Sequence, residues 1–166
     1  MKKTKVIAIV NQKGGIDADP QVDLTVSLGY NDTDCEAFDF VSELVKDNVP
    51  ISESIIKQIH YLVLADKKED RGIYRRVPVR IMGVQHEPVQ PYLIEQKMEQ
   101  LLRDFAASTE HIVTKLARFH IEFEGIHPFI DGNGRNRNDY YNAFDEYHVK
   151  HNLSAMEKLF ESIYQL

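Results

Sequence analysis

The sequence lacks the features that mark several large classes of protein. It has a single cysteine, Cys35, so an intramolecular disulfide and a thiolate metal cluster are both excluded, and a reducing compartment is expected. No apolar run approaches the roughly 20 residues that a membrane-spanning helix needs. The formal net charge of −6 argues against a protein that coats nucleic acid, because neutralising phosphates takes an excess of Lys and Arg. We therefore expect a cytoplasmic protein with no membrane partner and no direct binding to nucleic acid.

Helical periodicity dominates the part of the chain after residue 36. With 43% hydrophobic residues in 166, the chain is long enough to bury a core. Apolar residues recur at three- and four-residue spacing in six stretches, which is typical of amphipathic helices. The predicted helices cover residues 37–47, 52–65, 91–105, 109–124, 140–150 and 154–164. The fold class that follows is mainly α.

One short segment between the second and third predicted helices has a different pattern. Val77, Val79 and Ile81 alternate with Pro78, Arg80 and Met82, and Gly83 then breaks the run. Alternation of this kind predicts a short β-hairpin. Proline lacks the N–H that a sheet ladder uses, so the hairpin is expected to lie at an edge.

The residues most suited to chemistry lie in the stretch 126–135, Ile-His-Pro-Phe-Ile-Asp-Gly-Asn-Gly-Arg, between two predicted helices. Gly132 and Gly134 have no Cβ, so the backbone can turn sharply and aim successive N–H groups at one phosphate. Asp131 supplies an oxygen ligand suited to Mg²⁺, and Arg135 can grip a phosphate with two parallel donors. An unperturbed histidine side chain has a pKa near 6.5, so a histidine such as His127 suits a general base at neutral pH.

This stretch resembles the signature of the Fic family, His-Pro-Phe-x-(Asp/Glu)-Gly-Asn-Gly-Arg-x-x-Arg, from His127 through Arg135. Upstream, Gly72-Ile-Tyr-Arg75 and the segment 79–91 look like the hairpin flap of that family and the lead into its next helix. The resemblance covers about residues 37–135. It implies a Fic-like helical bundle with a β-hairpin flap over the active site, in full or truncated form, within a domain at 35–166.

The resemblance also implies an activity and a role for each matched residue. Fic proteins of this type move AMP from ATP, with Mg²⁺, to a Ser, Thr or Tyr hydroxyl of a target protein. His127 would be the base and Asp131 the Mg²⁺ ligand. The phosphates would be held by Gly132, Asn133, Gly134 and Arg135. The target chain would dock by strand addition on the flap residues Val79, Arg80, Ile81, Met82 and Gly83. A homo-oligomer is compatible with the sequence.

Two departures from the family pattern favour a second interpretation. The last arginine of the signature should fall at position 138, where Asn138 stands, and Arg137 comes one residue early. One residue turns a helix by about 100°, so Arg137 would point away from the site. The apolar helix that usually follows the signature is replaced at once by Asp139-Tyr-Tyr141. The alternative is therefore a degenerate, inactive Fic relative that acts as a nucleotide- or protein-binding module.

The first 34 residues resemble a different family. Lys5-Val-Ile-Ala-Ile-Val-Asn-Gln-Lys-Gly-Gly15 looks like the start of a ParA-type partition ATPase. Such proteins continue with Gly-Lys-Thr, and here Ile16-Asp17 follows, so the phosphate-binding lysine and the Mg²⁺-binding threonine are absent. We interpret residues 1–34 as a ParA-like remnant. A partition-type ATPase is the third and weakest interpretation.

Several histidines and arginines outside the signature have simpler explanations. His120 is expected to pack in the core, and His148 with His151 to lie on a solvated helix face instead of binding a metal. His86 is interpreted as decorating the hairpin. Arg75, Arg76 and Arg80 form a small basic cluster that surface charge explains, with an acidic target or the nucleotide as the alternative.

Overall fold

The computed structural model describes residues 36–64, 69–81, 83–130 and 138–164. The chain divides into two compact units, Met1–Ile73 and Tyr74–Leu166. The ParA-like stretch and the predicted domain boundary between residues 34 and 35 both lie outside the described residues.

All six predicted helices are confirmed. They are α1 (Glu36–Lys46), α2 (Glu53–Val63), α3 (Ile94–Ala107), α4 (Ile112–Ile126), α5 (Asn138–Lys150) and α6 (Ser154–Tyr164). A short 3₁₀ helix, Pro91–Leu93, leads directly into α3. None of these helices is both long and apolar enough to cross a membrane, within the ranges the structure describes.

The described part of the first unit is a pair of packed helices, α1 and α2. Ser52 starts α2 because its hydroxyl accepts a hydrogen bond from the Ile55 N–H, which the first turn would otherwise leave unpaired. Ile56, Ile59 and His60 form the buried face of α2. The imidazole of His60 accepts a hydrogen bond from the Gly72 N–H at 2.8 Å, so the chain beyond α2 is held back against it.

In the second unit α4 is the central helix, since it packs against α3, α5 and α6. Helices α5 and α6 also pack against each other. The core between the four helices consists of side chains that are almost fully buried: Ile94, Met98, Ala117, Ile121, Phe129, Ala143, Phe144 and Met156. Because α4 carries the candidate histidine at its end, the packing on three sides fixes where that end lies.

The predicted β-hairpin is not confirmed. Within 69–81 and 83–90 the structure contains no β-strand. The chain does turn at Gly83, which has φ of +89°, and Arg80 lies 3.6 Å from Glu87 across the turn. The carbonyls of Val77 and Val89 both accept hydrogen bonds from Arg75, so these positions are bonded to a side chain instead of to a ladder.

Candidate active site

His127 lies at the C-terminal end of α4 in a left-handed backbone conformation, with φ 51° and ψ 63°. Its N–H still donates to the Phe123 carbonyl at 3.0 Å, closing the last turn. Pro128 explains why the helix stops there, because a proline disfavours the right-handed helical conformation in the residue before it. Residues with a Cβ seldom adopt this conformation within regular structure, but it is common at helix ends, and Asn48 and His151 share it just after α1 and α5.

The residues that follow His127 are anchored in the core. Pro128 and Phe129 are buried, and the Phe129 ring packs against Tyr74 at a centroid distance of 5.3 Å. The Pro128 carbonyl accepts a hydrogen bond from the Arg75 N–H at 2.9 Å. The stretch 127–129 is therefore held both by a main-chain hydrogen bond and by the packing of its side chains.

Arg75 is the main contact of this stretch, and the prediction that it belongs to a surface cluster was wrong. The residue is only 4% exposed. Its guanidinium donates to the carbonyls of His127 at 2.7 Å, Val77 at 2.9 Å and Ile126 at 3.3 Å, and also to that of Val89. Burial lowers the pKa of Arg75 from its ordinary value. Arg76 and Arg80, in contrast, are exposed as predicted.

His86 supports the last turn of α4, so the interpretation that it only decorates a hairpin was also wrong. Its Nε2 lies 2.9 Å from the Gly125 carbonyl, a geometry in which an Nε2–H donates. Its ring stacks on His148 of α5 at 4.0 Å between centroids. His148 in turn lies 3.2 Å from the Ile121 carbonyl, and its pKa is lowered to about 4, first by burial and then by His86. His148 is thus a packed side chain and not part of a solvated face.

Gly125 makes room for the His148 imidazole of this pair. A Cβ placed there would lie 2.5 Å from Cε1 and 2.7 Å from Nε2 of His148, and 3.4 Å from Nε2 of His86. The two approaches to His148 are well inside van der Waals contact, whereas the approach to His86 is an ordinary contact. The glycine therefore allows the two rings to reach the carbonyls of the helix that ends at the candidate base.

A buried polar cluster lies one turn earlier, between α4 and α5. Glu124 is 5% exposed, and its Oε1 has no hydrogen-bond partner among the described residues; the same holds for the Tyr140 hydroxyl. Burial raises the pKa of Glu124 well above its usual range. The pKa of Tyr140 is raised as well, first by burial and then by the Glu124 charge. His120 packs against Tyr140 and Phe160, which confirms the prediction that it is a core residue.

All five predicted phosphate- and metal-binding residues and one flap residue lie outside the described residues. These are Asp131, Gly132, Asn133, Gly134 and Arg135, and of the flap Met82. Within the described ranges no three His, Cys, Asp or Glu side chains are grouped so that they could hold a metal. Of the remaining flap residues, Val79 and Ile81 are half-buried, while Arg80 and Gly83 are exposed.

Two residues important to the site were missed from the sequence, Arg75 and His86. A signal for Arg75 was present, because the fragment Gly72-Ile-Tyr-Arg75 was already part of the family resemblance. An arginine carried in a motif otherwise made of apolar and small residues is a candidate for a buried cation. His86 had no such signal, since its partner carbonyl lies 39 residues away.

Comparison with known proteins agrees with the resemblance read from the signature. The protein adenylyltransferase Fic of Drosophila yakuba is 33% identical over 103 residues, which covers 60% of this chain and 20% of that protein. A probable protein adenylyltransferase of Aquifex aeolicus is 33% identical over 86 residues, covering 51% of this chain and 27% of the relative. The match thus spans only about a fifth to a quarter of the length of these relatives.

Two solved structures share the fold. One is BepC, a VirB-translocated effector of Bartonella tribocorum crystallised with AMPPNP. It aligns with a TM-score of 0.58 at 18% identity, covering 76% of this chain and 82% of that one. The other is a Fic family protein of Desulfovibrio desulfuricans, with a TM-score of 0.50 at 20% identity, covering 92% of this chain and 48% of that one. The model of the Fic/DOC family matches residues 50–136, just over half of the sequence, and the chain therefore belongs to the Fic/DOC family.

Proposed function

We propose that the chain is a protein adenylyltransferase that moves AMP from ATP to a Ser, Thr or Tyr hydroxyl of a target protein. The observation that carries the proposal is the conformation of His127. It is held in a left-handed conformation at the end of a packed helix, and the family signature follows it directly as far as Arg135. The names of the relatives, protein adenylyltransferases, and the AMPPNP bound to BepC support the choice of reaction and of nucleotide.

In this proposal His127 is the general base. Its imidazole takes the proton of the target hydroxyl, and the hydroxyl oxygen attacks the α-phosphorus of ATP. The bond from the α-phosphorus to the oxygen that bridges to the β-phosphorus breaks, and pyrophosphate leaves with that oxygen. The products are an AMP ester of the target and a protonated His127, which returns its proton to solvent. Phosphoryl chemistry of this kind depends mostly on positioning and charge stabilisation, so the rigidity of residue 127 matters.

The remaining roles follow the family motif residue by residue. Gly132, Asn133, Gly134 and Arg135 would hold the phosphates. The carboxylate of Asp131 has the oxygen chemistry that Mg²⁺ prefers, and a bound Mg²⁺ would neutralise charge on the phosphate oxygens. The flap residues Val79, Arg80, Ile81, Met82 and Gly83 would offer main-chain groups to an extended target segment.

A second candidate function is a nucleotide- or protein-binding module without catalysis. Asn138 favours it, since it occupies the position of the second signature arginine and is also the first residue of α5. Loss of a phosphate-binding cation removes transition-state stabilisation while leaving ground-state contacts to the nucleotide. The transferase and a nucleotide-binding module therefore differ in whether AMP is transferred and not in whether the nucleotide is bound.

The test is transfer of label from ATP carrying a labelled α-phosphate, with Mg²⁺, to the chain itself and to proteins of a cell extract. The variants are His127→Ala and His151→Ala. His151 is a matched control because it is an exposed histidine with φ of 56° whose N–H bonds to the residue four places back, as the N–H of His127 does. We expect label with the parent and with His151→Ala, and none with His127→Ala.

Other outcomes separate the candidates. A folded parent that binds ATP by calorimetry and transfers no label would reject the transferase and support the binding module. Equal labelling by His127→Ala and the parent would reject His127 as the base. Release of γ-phosphate without a target would instead support the partition-type ATPase.

A further inference from the structure

The guanidinium of Arg75 controls both peptide planes that flank the Cα of His127. Its Nη2 donates to the Ile126 carbonyl, which belongs to the plane before His127, and its Nε donates to the His127 carbonyl, which belongs to the plane after. The rotations of these two planes about the Cα are φ and ψ. One side chain therefore contacts both planes that define the conformation of His127, in addition to the main-chain bond from the His127 N–H to the Phe123 carbonyl.

The same guanidinium also holds both ends of the segment 77–89. Nη1 donates to the Val77 carbonyl at 2.9 Å, and Nη2 donates to that of Val89. Residues 79–83, the proposed docking residues for the target, lie between these two points. The two ends of the segment 77–89, which contains the docking residues, and the backbone of His127 are thus bonded to one cation.

The bonding pattern of Arg75 is unusual for a buried charge. In the part of the chain that the structure describes, all its side-chain hydrogen bonds go to main-chain carbonyls, and no carboxylate forms an ion pair with it. Burying a cation without an anion is costly, and here the compensation comes from carbonyl dipoles, including those at the negative end of α4. Because its partners among the described residues are all main-chain carbonyls, the charge serves to orient backbone.

Lysine could not replace this arrangement. A guanidinium presents five donors in a rigid planar fork, whereas an ammonium has three donors on one nitrogen. Four carbonyls on three separate stretches of chain (77, 89 and 126–127) need donors that point in different directions in one plane. An Arg75→Lys variant would keep the charge and most of the volume and lose part of the orientation.

We infer that Arg75 is a positioning residue that sets the backbone of His127 and closes the target-docking segment 77–89 on it, so that base and docking site move as one. This rests on the proposed function in so far as His127 is the base. The bonds themselves do not depend on that role. The inference can therefore fail separately from the proposed reaction.

The experiment compares Arg75→Lys with Arg76→Lys. Arg76 is the matched control, because it is the adjacent arginine and is exposed. The first readout is AMP transfer at saturating ATP; we expect Arg75→Lys to lower kcat by about 100-fold, since a shift on the order of 1 Å has that effect. The KM for ATP should change by less than about threefold, because the change removes alignment and not ground-state binding of the nucleotide. Arg76→Lys should match the parent both in kcat and in the KM for ATP.

The second readout does not require activity. The imidazole resonances of His127, measured by ¹⁵N–¹H NMR, should move in Arg75→Lys and stay in place in Arg76→Lys. In Arg75→Ala, methylguanidinium should return both the resonances and part of the rate, each corrected for the folded fraction. If the parent itself transfers no AMP, the proposed function fails and the His127 resonances alone decide the positioning role.

A third readout uses the unchanged chain and holds even where the variants do not fold. The Nε–H of Arg75 should exchange with solvent on the order of 100-fold more slowly than that of Arg76, because it is buried against the His127 carbonyl. Equal exchange rates would overturn the inference. So would an Arg75→Lys variant with unmoved His127 resonances or with a kcat within threefold of an active parent.

Discussion

The two ends of α4 are held in opposite ways. At the N-terminal end His111 caps the helix through the Val113 N–H at 3.4 Å, and Arg118 forms two hydrogen bonds with Glu110, 3.1 and 2.8 Å long. Those groups are largely exposed, as their side chains retain about 40% of their surface. At the C-terminal end Arg75, His86 and His148 donate to carbonyls from buried or half-buried positions.

The difference shows where the fold places its rigidity. Exposed ion pairs contribute little because water and salt screen them, whereas a buried donor cannot be withdrawn without leaving a carbonyl unpaired. The tightly held end is the one that carries His127. Changes at the C-terminal end should therefore have large effects and changes at the N-terminal end small ones.

The largest expected effect is the pH dependence caused by Glu124. Its pKa is raised in the folded chain, so above about pH 4.5 the unfolded chain binds fewer protons than the folded one, and the free energy of unfolding falls as pH rises. Glu124→Gln removes this difference in bound protons between the folded and the unfolded chain. Relative to the parent, the variant should gain up to about 1.4 kcal/mol per pH unit from pH 5 upward, until the raised pKa is reached.

Urea unfolding between pH 5 and pH 8 measures this gain. Glu99→Gln is the control, since the Glu99 carboxylate on α3 is 66% exposed and paired with Arg103 at 3.1 Å. The free energy of unfolding of Glu99→Gln should change with pH in the same way as that of the parent. If the free energy of unfolding changes with pH equally in Glu124→Gln and in the parent, Glu124 ionises normally in the folded chain.

A smaller effect is expected from Gly125→Ala. The added Cβ would meet His148 at 2.5 and 2.7 Å and force that ring from the Ile121 carbonyl. Overpacking of this kind costs about 1–3 kcal/mol, against which alanine recovers on the order of 1 kcal/mol in helix propensity. We expect a net loss of up to about 2 kcal/mol in the free energy of unfolding.

A double-mutant cycle with His148→Ala isolates the cause of that loss. Once the ring is absent, Gly125→Ala should cost little or become stabilising, because only the helix propensity term and a 3.4 Å approach to His86 remain. The same cost in both backgrounds would mean that the conflict is not with His148. The C-terminal end of α4 would then be packed less tightly than the contact between Gly125 and His148 indicates.

These contacts separate what the sequence could predict from what it could not. The helices follow from periodicity, and Ser52 and Pro128 mark where α2 begins and α4 ends. His127 was found from its motif and does lie at that helix end. The hairpin was predicted from alternation alone. Alternation cannot show that the carbonyls of Val77 and Val89 are bonded to a side chain.

Long-range pairing is what the sequence does not carry. Arg75 reaches carbonyls 51 and 52 residues away, and His148 reaches one 27 residues away. A main-chain carbonyl has no residue type, so no pattern of side chains reveals it as a partner. Charged residues were therefore assigned to the surface, which was right for Arg76 and Arg80 and wrong for Arg75.

The smallest expected effect belongs to the exposed end of α4. Glu110→Gln removes the charge that pairs with Arg118 and that accepts a hydrogen bond from the Ser108 hydroxyl, while the Lys115 ammonium still donates to the Ser108 carbonyl. Exposed pairs are screened and hold two long side chains at an entropic cost, so the midpoint of urea unfolding should shift barely beyond the error of the titration. Added salt should abolish even that shift. A loss as large as that of Gly125→Ala, persisting in high salt, would show that both ends of α4 are held equally firmly and that rigidity is not concentrated at His127.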